Sequence, residues 1–263
     1  MNTLLWILGL AVVLIGGFFA LNSYIYNEKQ GDMNEEQPAT TTAEIIPIEH
    51  ATGVIKWGDT VMYTDPTGEA VAFQGQMPAN IIFLTDIHGD HLSTSTLSSV
   101  IGNASRSAPQ AVKDLLPEQL AARTIVMKNG DSITEKGFRI TAIPMYNFPE
   151  SADSRHTKGR GNGYVIEKDG FRVYIAGDTA GTPEMRAQTD IDIALVPMNL
   201  PYTMGVEEAA DAVLAFKPKK VYPYHYRGQD GLADVNKFKE LVDAGNQGIE
   251  VVLANWYPEK NSN

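Results

Sequence analysis

The chain has 263 residues, 43% of them hydrophobic, which suits one large domain with a single core or at most two small domains. Its formal net charge of -11 would repel a phosphate backbone, so nucleic acid is not an expected partner. The sequence contains no cysteine, which excludes disulfide bonds, thiolate metal sites and cysteine nucleophiles.

The amino-terminal segment differs from the rest of the chain. Residues 4–21, LLWILGLAVVLIGGFFAL, are apolar or glycine throughout, and the first charged side chain is Glu28. A helix of about 18–20 such residues spans the hydrocarbon of a bilayer. We therefore predict one transmembrane anchor over residues 1–27, with a cleaved signal peptide as the alternative. The acidic residues that follow favour export, which predicts a single-pass protein whose domain is extracytoplasmic.

A polar segment follows the apolar run. Residues 28–43, EKQGDMNEEQPATTTA, offer almost nothing to bury and are expected to form a flexible linker. The domain itself is predicted over residues 44–263. It opens with GVIKWGDTVMYTDP, a hairpin that turns at Gly58-Asp59.

Further along the domain, strands and helices are mixed. ANIIFLT, IDIALVPMN, KKVYPYHY and IEVVLAN read as strands, and RTIVMKNGDSITEKGFRITAIPMY as strands joined by tight turns. GYVIEKDGFRVYIAGD is a hairpin that turns at Asp169-Gly170. LSTSTLSSVIG, the first half of PEQLAARTI, VEEAADAVLAFKP and ADVNKFKELVDAG are predicted helices. This mixture predicts an α/β (α+β) fold with a sheet-on-sheet core flanked by helices.

Residues 83–93, FLTDIHGDHLS, place two histidines and two aspartates within six positions, directly after an apolar run. An extended backbone would put Asp86, His88 and Asp90 on the same side and point His91 elsewhere. Asp86 and His88 could then bind one metal ion, and Asp90 and His91 a second. Two ions about 3.5–4 Å apart can share a bridging hydroxide.

Two similar groups follow later strands. Asp178 comes after the strand RVYIA, and His225 ends the strand KKVYPYHY. Asp178 could instead cap a helix, and His225 could belong to an aromatic cluster. Imidazole and carboxylate groups at three strand ends nevertheless indicate a site for zinc, manganese or iron(II).

The order HxDH, then GDT, then a strand-end histidine resembles the metallo-β-lactamase-fold hydrolases. The resemblance runs from about Ile46 to Asn255. Within that superfamily the chain is similar to the branch of ascorbate-6-phosphate lactonase and the N-acylphosphatidylethanolamine phospholipase D, through HATGVIKWGDTVMYTDP, GNGYVIEKDGFRVYIAGDT and MNLPYTMGVEEAADAVLAFKPKKVYPYHY. The resemblance implies a four-layer αββα sandwich with a two-metal site between the sheet edges.

The resemblance also implies roles for individual residues. Asp90, His91 and His225 match ligands of the second metal. Asp178 matches the carboxylate that bridges both ions, and His88 matches a ligand of the first. Asp90 would in addition act in catalysis, because it can orient the nucleophile and handle its proton.

The first-metal site departs from the family pattern. Asp86 replaces the first histidine of HxHxDH and is a harder oxygen ligand. A further histidine is usual near Asn147, and either His156 or the side-chain oxygen of Asn147 could take its place. His50 is expected to be structural or to contact the ligands.

The loop around His156 also carries positive charge. Lys158 and Arg160 are candidates to bind an anionic substrate, together with Asn147, although a solvated loop is the alternative.

These observations predict a metal-dependent hydrolase with two divalent ions, zinc first and manganese or iron as alternatives. Its substrate would be a small or lipid-derived ester, lactone or phosphodiester. The alternative is a non-catalytic, membrane-tethered metal-binding or interaction domain with a degenerate first-metal site.

Overall fold

The computed structural model of the protein describes residues 42–258. Within them, the first sheet has six strands whose order across the sheet follows the chain. They are β1 (Ala43–Glu49), β2 (Thr52–Trp57), β3 (Thr60–Thr64), β4 (Ile81–Phe83), β5 (Ser105–Ala108) and β6 (Thr124–Val126). Strands β1 to β3 pair antiparallel, and β3 to β6 pair parallel.

The second sheet is formed by later strands. In chain order these are β7 (Ser132–Glu135), β8 (Phe138–Met145), β9 (Gly161–Lys168), β10 (Phe171–Ile175), β11 (Ile193–Pro197) and β12 (Lys220–Tyr224); a short hairpin of β13 (Arg227–Gly228) and β14 (Gly231–Leu232) follows, and then β15 (Glu250–Val251). The order across the sheet is β15-β12-β11-β10-β9-β8-β7. Strands β7 to β10 pair antiparallel, and β10, β11, β12 and β15 pair parallel.

The helices lie on the outer faces of the two sheets. They are α1 (Thr94–Val100), α2 (Gln110–Lys113), α3 (Glu118–Ala121), α4 (Pro183–Arg186), α5 (Val206–Phe216) and α6 (Val235–Ala244), with a 3₁₀ helix at Ala70–Phe73. Leu97 of α1 and Val112 of α2 are buried in a core cluster with Tyr63 of the first sheet. Phe216 of α5 packs edge-on against Tyr174 of the second sheet.

The main core lies between the two sheets. Trp57 contacts Phe138 across the interface, and Phe83 contacts Tyr164, each pair with ring centroids 5.1 Å apart. Aromatic side chains of this size contribute most of the apolar area that stabilises such a core. The layers therefore run helix, sheet, sheet, helix, and the predicted αββα architecture is confirmed.

Both predicted hairpins are present. β2 and β3 turn at Gly58, and β9 and β10 turn at Asp169 and Gly170, with positive φ at all three residues. Strand β5 was not predicted, because its sequence SRSA is short and polar. It is buried nevertheless, since Arg106 donates hydrogen bonds to the Leu120 carbonyl and to other oxygens around it.

No helix within residues 42–258 is long and apolar enough to cross a membrane. The predicted anchor over residues 1–27 lies outside the described residues, as does all but the end of the predicted linker over 28–43.

Candidate metal centre

Loops at the carboxyl ends of strands bring the candidate ligands together. Asp86 follows β4, Asn147 follows β8, Asp178 follows β10 and His225 follows β12. The last two strands belong to the parallel part of the second sheet, where side chains after strand ends meet at one edge.

The sequence predicted an extended backbone through residues 83–93, FLTDIHGDHLS, and this prediction is wrong. Strand β4 ends at Phe83, and the chain turns, so that the backbone N–H groups of His91 and Leu92 both donate to the His88 carbonyl, at 2.9 and 2.8 Å. Ser93 then caps α1 by accepting from the Thr96 backbone N–H. The turn sends Asp90 and His91 away from the residues before them, and so divides the motif between two places.

The first cluster consists of Asp86, His88 and His156, whose ligand atoms lie within 4.8 Å of one another. Nδ1 of His88 is 2.5 Å from Oδ2 of Asp86, and Nε2 of His156 is 3.7 Å from the same oxygen. Asp86 and His156 are buried, while the His88 side chain is 26% exposed. One face of this cluster is therefore open to solvent.

Hydrogen bonds hold His156 in the first cluster. Its backbone N–H donates to Oδ1 of Asn147 at 2.8 Å, and its Nδ1 lies 3.2 Å from the Tyr202 carbonyl oxygen. The Asn147 amide also donates to that carbonyl, at 2.8 Å. The second ring nitrogen of His156 is thus left to face the cluster. His156 and Asn147 were the two candidates to replace the further histidine of the family pattern. His156 joins the cluster, and Asn147 positions His156 through its hydrogen bond.

The two cations predicted to meet the substrate both pair with carboxylates. Nη2 of Arg160 lies 3.1 Å from Oδ1 of Asp86. Nζ of Lys158 lies 2.7 Å from Glu184, which also accepts from the Tyr146 hydroxyl. These pairings leave substrate binding by Arg160 and Lys158 as an untested prediction with little support from the geometry.

The second cluster consists of His91, Asp178 and His225, all buried. Oδ1 of Asp178 lies 3.3 Å from Nε2 of His91 and 3.2 Å from Nε2 of His225, and the two ring nitrogens are 3.1 Å apart. The side-chain amide of Asn199 bonds to Nδ1 of His225 at 2.9 Å. The His225 imidazole is therefore fixed on one nitrogen and directs the other towards Asp178.

Asp90 and His50 lie beside the second cluster. Oδ2 of Asp90 is 3.4 Å from Nε2 of His225 and 3.2 Å from Nε2 of His50. The His50 ring packs against His225 with centroids 3.9 Å apart and ring planes tilted by 50°, and its Nδ1 lies 2.6 Å from the Tyr257 hydroxyl. His50, Asp90 and His225 satisfy the distances of a metal-binding group. His50 therefore contacts predicted ligands directly.

Asp178 connects the two clusters. Its Oδ1 faces the second cluster, and its Oδ2 lies 3.2 Å from Nε2 of His156 in the first. The turn that presents it depends on Gly177, which has a φ of 68° and where an added Cβ would lie 2.4 Å from Sδ of Met145. A carboxylate whose two oxygens face different clusters can bind two ions at once.

A buried carboxylate behind His91 was missed in the sequence. Oδ2 of Asp65 lies 2.9 Å from Nδ1 of His91 and accepts from the Thr85 hydroxyl at 2.6 Å. A carboxylate on the far nitrogen of an imidazole fixes its tautomer and leaves the near nitrogen free to bind metal. The available signal was the position of Asp65 directly after β3, in YTDP.

Strained backbone occurs at three residues of the centre. His50, Asp65 and His225 have φ values of 50°, 41° and 47°, in the left-handed region that favours glycine. Each costs on the order of 1 kcal/mol. Such conformations are found mainly where function requires a particular side-chain direction.

Opposite charges stabilise the ionised forms within the centre. Burial raises the pKa of Asp178, but His225 and His91 outweigh it and hold that pKa well below its usual value. Burial lowers the pKa of His91, but Asp178 and Asp65 outweigh it and hold that pKa well above its usual value. Burial likewise opposes ionisation of Asp86, yet its hydrogen bond with His88 and the nearby imidazoles lower its pKa to about 2.

The donor set fits divalent metal ions. Nε2 of His156 and Oδ1 of Asp178 are buried without a hydrogen bond, although Nε2 of His156 lies 3.2 Å from a carboxylate oxygen and Oδ1 of Asp178 lies 3.3 Å from an imidazole nitrogen. Buried polar atoms left in this state are costly unless another partner binds them. Imidazole nitrogens and carboxylate oxygens are the ligands that zinc, manganese and iron(II) accept.

A family model described as the β-lactamase superfamily domain matches residues 44–225. The chain belongs to this superfamily. It is also 34% identical over 189 residues to a UPF0173 metal-dependent hydrolase of Thermococcus onnurineus, covering 70% of this chain and 83% of the relative. A relative of the same name from Thermus thermophilus is 31% identical over 208 residues, covering 75% and 92%.

A solved structure agrees with these relatives. The crystal structure of a proposed metal-dependent hydrolase from Parabacteroides distasonis is 36% identical, has a TM-score of 0.71, and covers 80% of this chain and 91% of that one. The protein is thus a metal-dependent hydrolase of the metallo-β-lactamase superfamily, rather than the non-catalytic domain considered as the alternative. None of these three relatives is named as a lactonase or a phospholipase, so the narrower resemblance stays a prediction.

Proposed function

We propose that the protein hydrolyses an ester, a lactone or a phosphodiester with two divalent ions, zinc in the first instance and manganese or iron as alternatives. The first cluster would hold one ion; the second cluster, with Asp90, would hold the other. The observation that carries this proposal is the division of Asp178, whose two oxygens face different clusters. A carboxylate that bound a single ion would not need to place one oxygen in each cluster.

Ions held there would lower the pKa of water enough to supply hydroxide near neutral pH and would polarise the carbonyl or phosphoryl oxygen of the substrate. Asp90 would orient the attacking water. Its side chain is 41% exposed and is the carboxylate of the centre that reaches furthest towards solvent. Burial opposes its ionisation, but hydrogen bonds with His225 and His50 hold the pKa of Asp90 far below its usual value. It therefore acts chiefly as a hydrogen-bond acceptor, and only weakly as a base.

Two cavities flank the centre and support a small-molecule or lipid-derived substrate. One of about 830 Å³ is lined by His50 and Asp90, and another of about 290 Å³ by Asn147 and His156. The larger is of the size that drug-sized ligands occupy. We further propose that residues 4–21 attach the enzyme to a membrane and that the domain lies outside the cytoplasm, which would bring lipid or envelope esters within reach.

The test uses the full chain, purified and loaded in turn with zinc, manganese or iron(II). Elemental mass spectrometry should find about two ions per chain, and one of a chromogenic ester, a lactone and bis-p-nitrophenyl phosphate should be hydrolysed. Asp90→Ala should lower kcat by about a thousandfold or more with unchanged circular dichroism. Asp243→Ala, on the exposed face of α6, is the matched control. Full activity of Asp90→Ala, or one ion per chain at saturation, would contradict the proposal.

A further inference from the structure

The larger cavity extends from the metal centre to a face on which residues 42–258 offer a single arginine or lysine. Its lining includes two glutamates, two residues of the centre, one arginine and one tyrosine: Glu49, Glu69, His50, Asp90, Arg227 and Tyr257. A substrate cleaved beside Asp90 would extend along this lining. The charges on the wall therefore select which substrates fit.

Arg227 is exposed but held in place. Its guanidinium carbon lies 4.3 Å from the centre of the Tyr257 ring, and its backbone N–H donates to the Tyr257 hydroxyl at 2.9 Å. Stacking of this kind orders the planar guanidinium and leaves its edge free to bind a carboxylate through two parallel hydrogen bonds. None of the ion pairs among residues 42–258 includes Arg227, whereas Lys158 and Arg160 are each paired.

Tyr257 connects this arginine to the centre. Its hydroxyl lies 2.6 Å from Nδ1 of His50, whose other ring nitrogen lies 3.2 Å from Asp90. Arg227 is thus separated from the reacting side of the cavity by one tyrosine and one histidine. That separation suits an anion placed several bonds away from the scissile group.

We propose that Arg227 binds a carboxylate of the substrate, at the end remote from the bond that is cleaved. This inference rests on the proposed hydrolytic function of the centre. Glu69 lies on the same cavity wall, and its charge disfavours a substrate with additional negative charge. The preferred substrate is therefore an ester or lactone with one free carboxylate, and Arg227 is its specificity-determining residue.

Matched esters test the inference through activity. p-Nitrophenyl hydrogen adipate and p-nitrophenyl methyl adipate share one scissile bond and differ by one charge. The wild-type enzyme should prefer the charged ester in kcat/KM, and Arg227→Ala should reduce that preference by about tenfold or more, chiefly through KM. Arg227→Lys should retain part of it, and Arg139→Ala, which removes an exposed arginine from β8, should retain all of it. An unchanged preference in Arg227→Ala would overturn the inference and leave the hydrolytic function intact.

A second readout does not depend on turnover. Phenylglyoxal modifies accessible arginines, and peptide mass spectrometry reports the modification of Arg227 and of Arg139 separately. Adipamic acid should slow modification of Arg227 severalfold and leave Arg139 unaffected, while the uncharged diamide adipamide should protect neither. Equal protection by both compounds, or none by either, would refute the carboxylate site. Selective protection in a protein that hydrolyses none of the ester, lactone and phosphodiester substrates would support the site and refute the proposed function.

Discussion

The first and second clusters share Asp178, but their other ligands are supported differently. In the second cluster, buried neutral or acidic groups fix the far nitrogens of both imidazoles: Asp65 supports His91, and Asn199 supports His225. In the first cluster, the unusual carboxylate Asp86 contacts a cation as well as an imidazole. The second cluster is a closed set of buried groups, whereas the first is partly open and lies next to Arg160.

That difference explains how an aspartate can replace a histidine in the first cluster. A carboxylate adds one negative charge where a neutral imidazole would add none. Arg160, 3.1 Å from Asp86, supplies the compensating positive charge. Local charge is therefore close to that of a site with a histidine at position 86, so Asp86 is compatible with a working ligand set. The carboxylate oxygen remains a harder ligand than an imidazole nitrogen.

The largest effect should come from the residue that the clusters share. Asp178→Asn weakens the link between them, and we expect metal content to fall below one ion per chain and kcat to fall by about a thousandfold or more. Asp192→Asn is the matched control, because Asp192 is also a largely buried aspartate but pairs with Lys219 away from the centre. Elemental analysis and steady-state kinetics measure both. If Asp178→Asn retains two ions, the clusters do not depend on a shared carboxylate.

A smaller and more selective effect should follow from changing the first cluster alone. His156→Ala removes an imidazole from it without touching His91 or His225. We expect one ion per chain to remain and kcat to fall by at least about tenfold. Asn147→Ala, which removes the side-chain hydrogen bonds to the His156 backbone N–H and to the Tyr202 carbonyl, should give a weaker form of the same phenotype. Loss of both ions from His156→Ala would show instead that the clusters bind metal as one unit.

Much of the centre was predictable because its residues follow strands that the sequence marks clearly. Apolar strands end shortly before Asp86, Asp178 and His225, and the carboxyl ends of parallel strands gather side chains. The hairpin turns at Gly58 and Asp169-Gly170 were also predictable from local sequence. Such turns need positive φ, and glycine and aspartate adopt it more readily than most residues.

Other features depend on contacts that no local pattern contains. The grouping of Asp90 with His50 arises because residues 88–91 turn, whereas the alternation rule assumed an extended chain. Asp65 lies 26 residues before His91, and only the pairing of β3 with β4 brings them together. Arg227 could not be connected to the site from sequence, because its partner Tyr257 lies 30 residues further on.

The smallest predicted effect concerns the pH dependence of the first cluster. The pKa of Asp86 is lowered to about 2, below the value of about 4 expected in the unfolded chain. Its ionised form therefore stabilises the folded state above about pH 4, and this stabilisation is lost as the pH falls through the folded-state pKa. In metal-depleted protein, the free energy of unfolding of the wild type should exceed that of Asp86→Asn near pH 6, and the gap should shrink by about 2 kcal/mol towards pH 2.

Urea unfolding monitored by circular dichroism at several pH values measures that gap. Asp243→Asn removes one exposed carboxylate from α6 and so corrects for the change in net charge. A gap that stays constant with pH would mean that Asp86 acts through packing alone, because only an ionisable group can make stability depend on pH in this range. A gap that shrinks would show that the first cluster keeps its carboxylate ionised before any metal binds. Asp86 would then be ionised and able to bind a metal ion near neutral pH, although the family pattern has a histidine at this position.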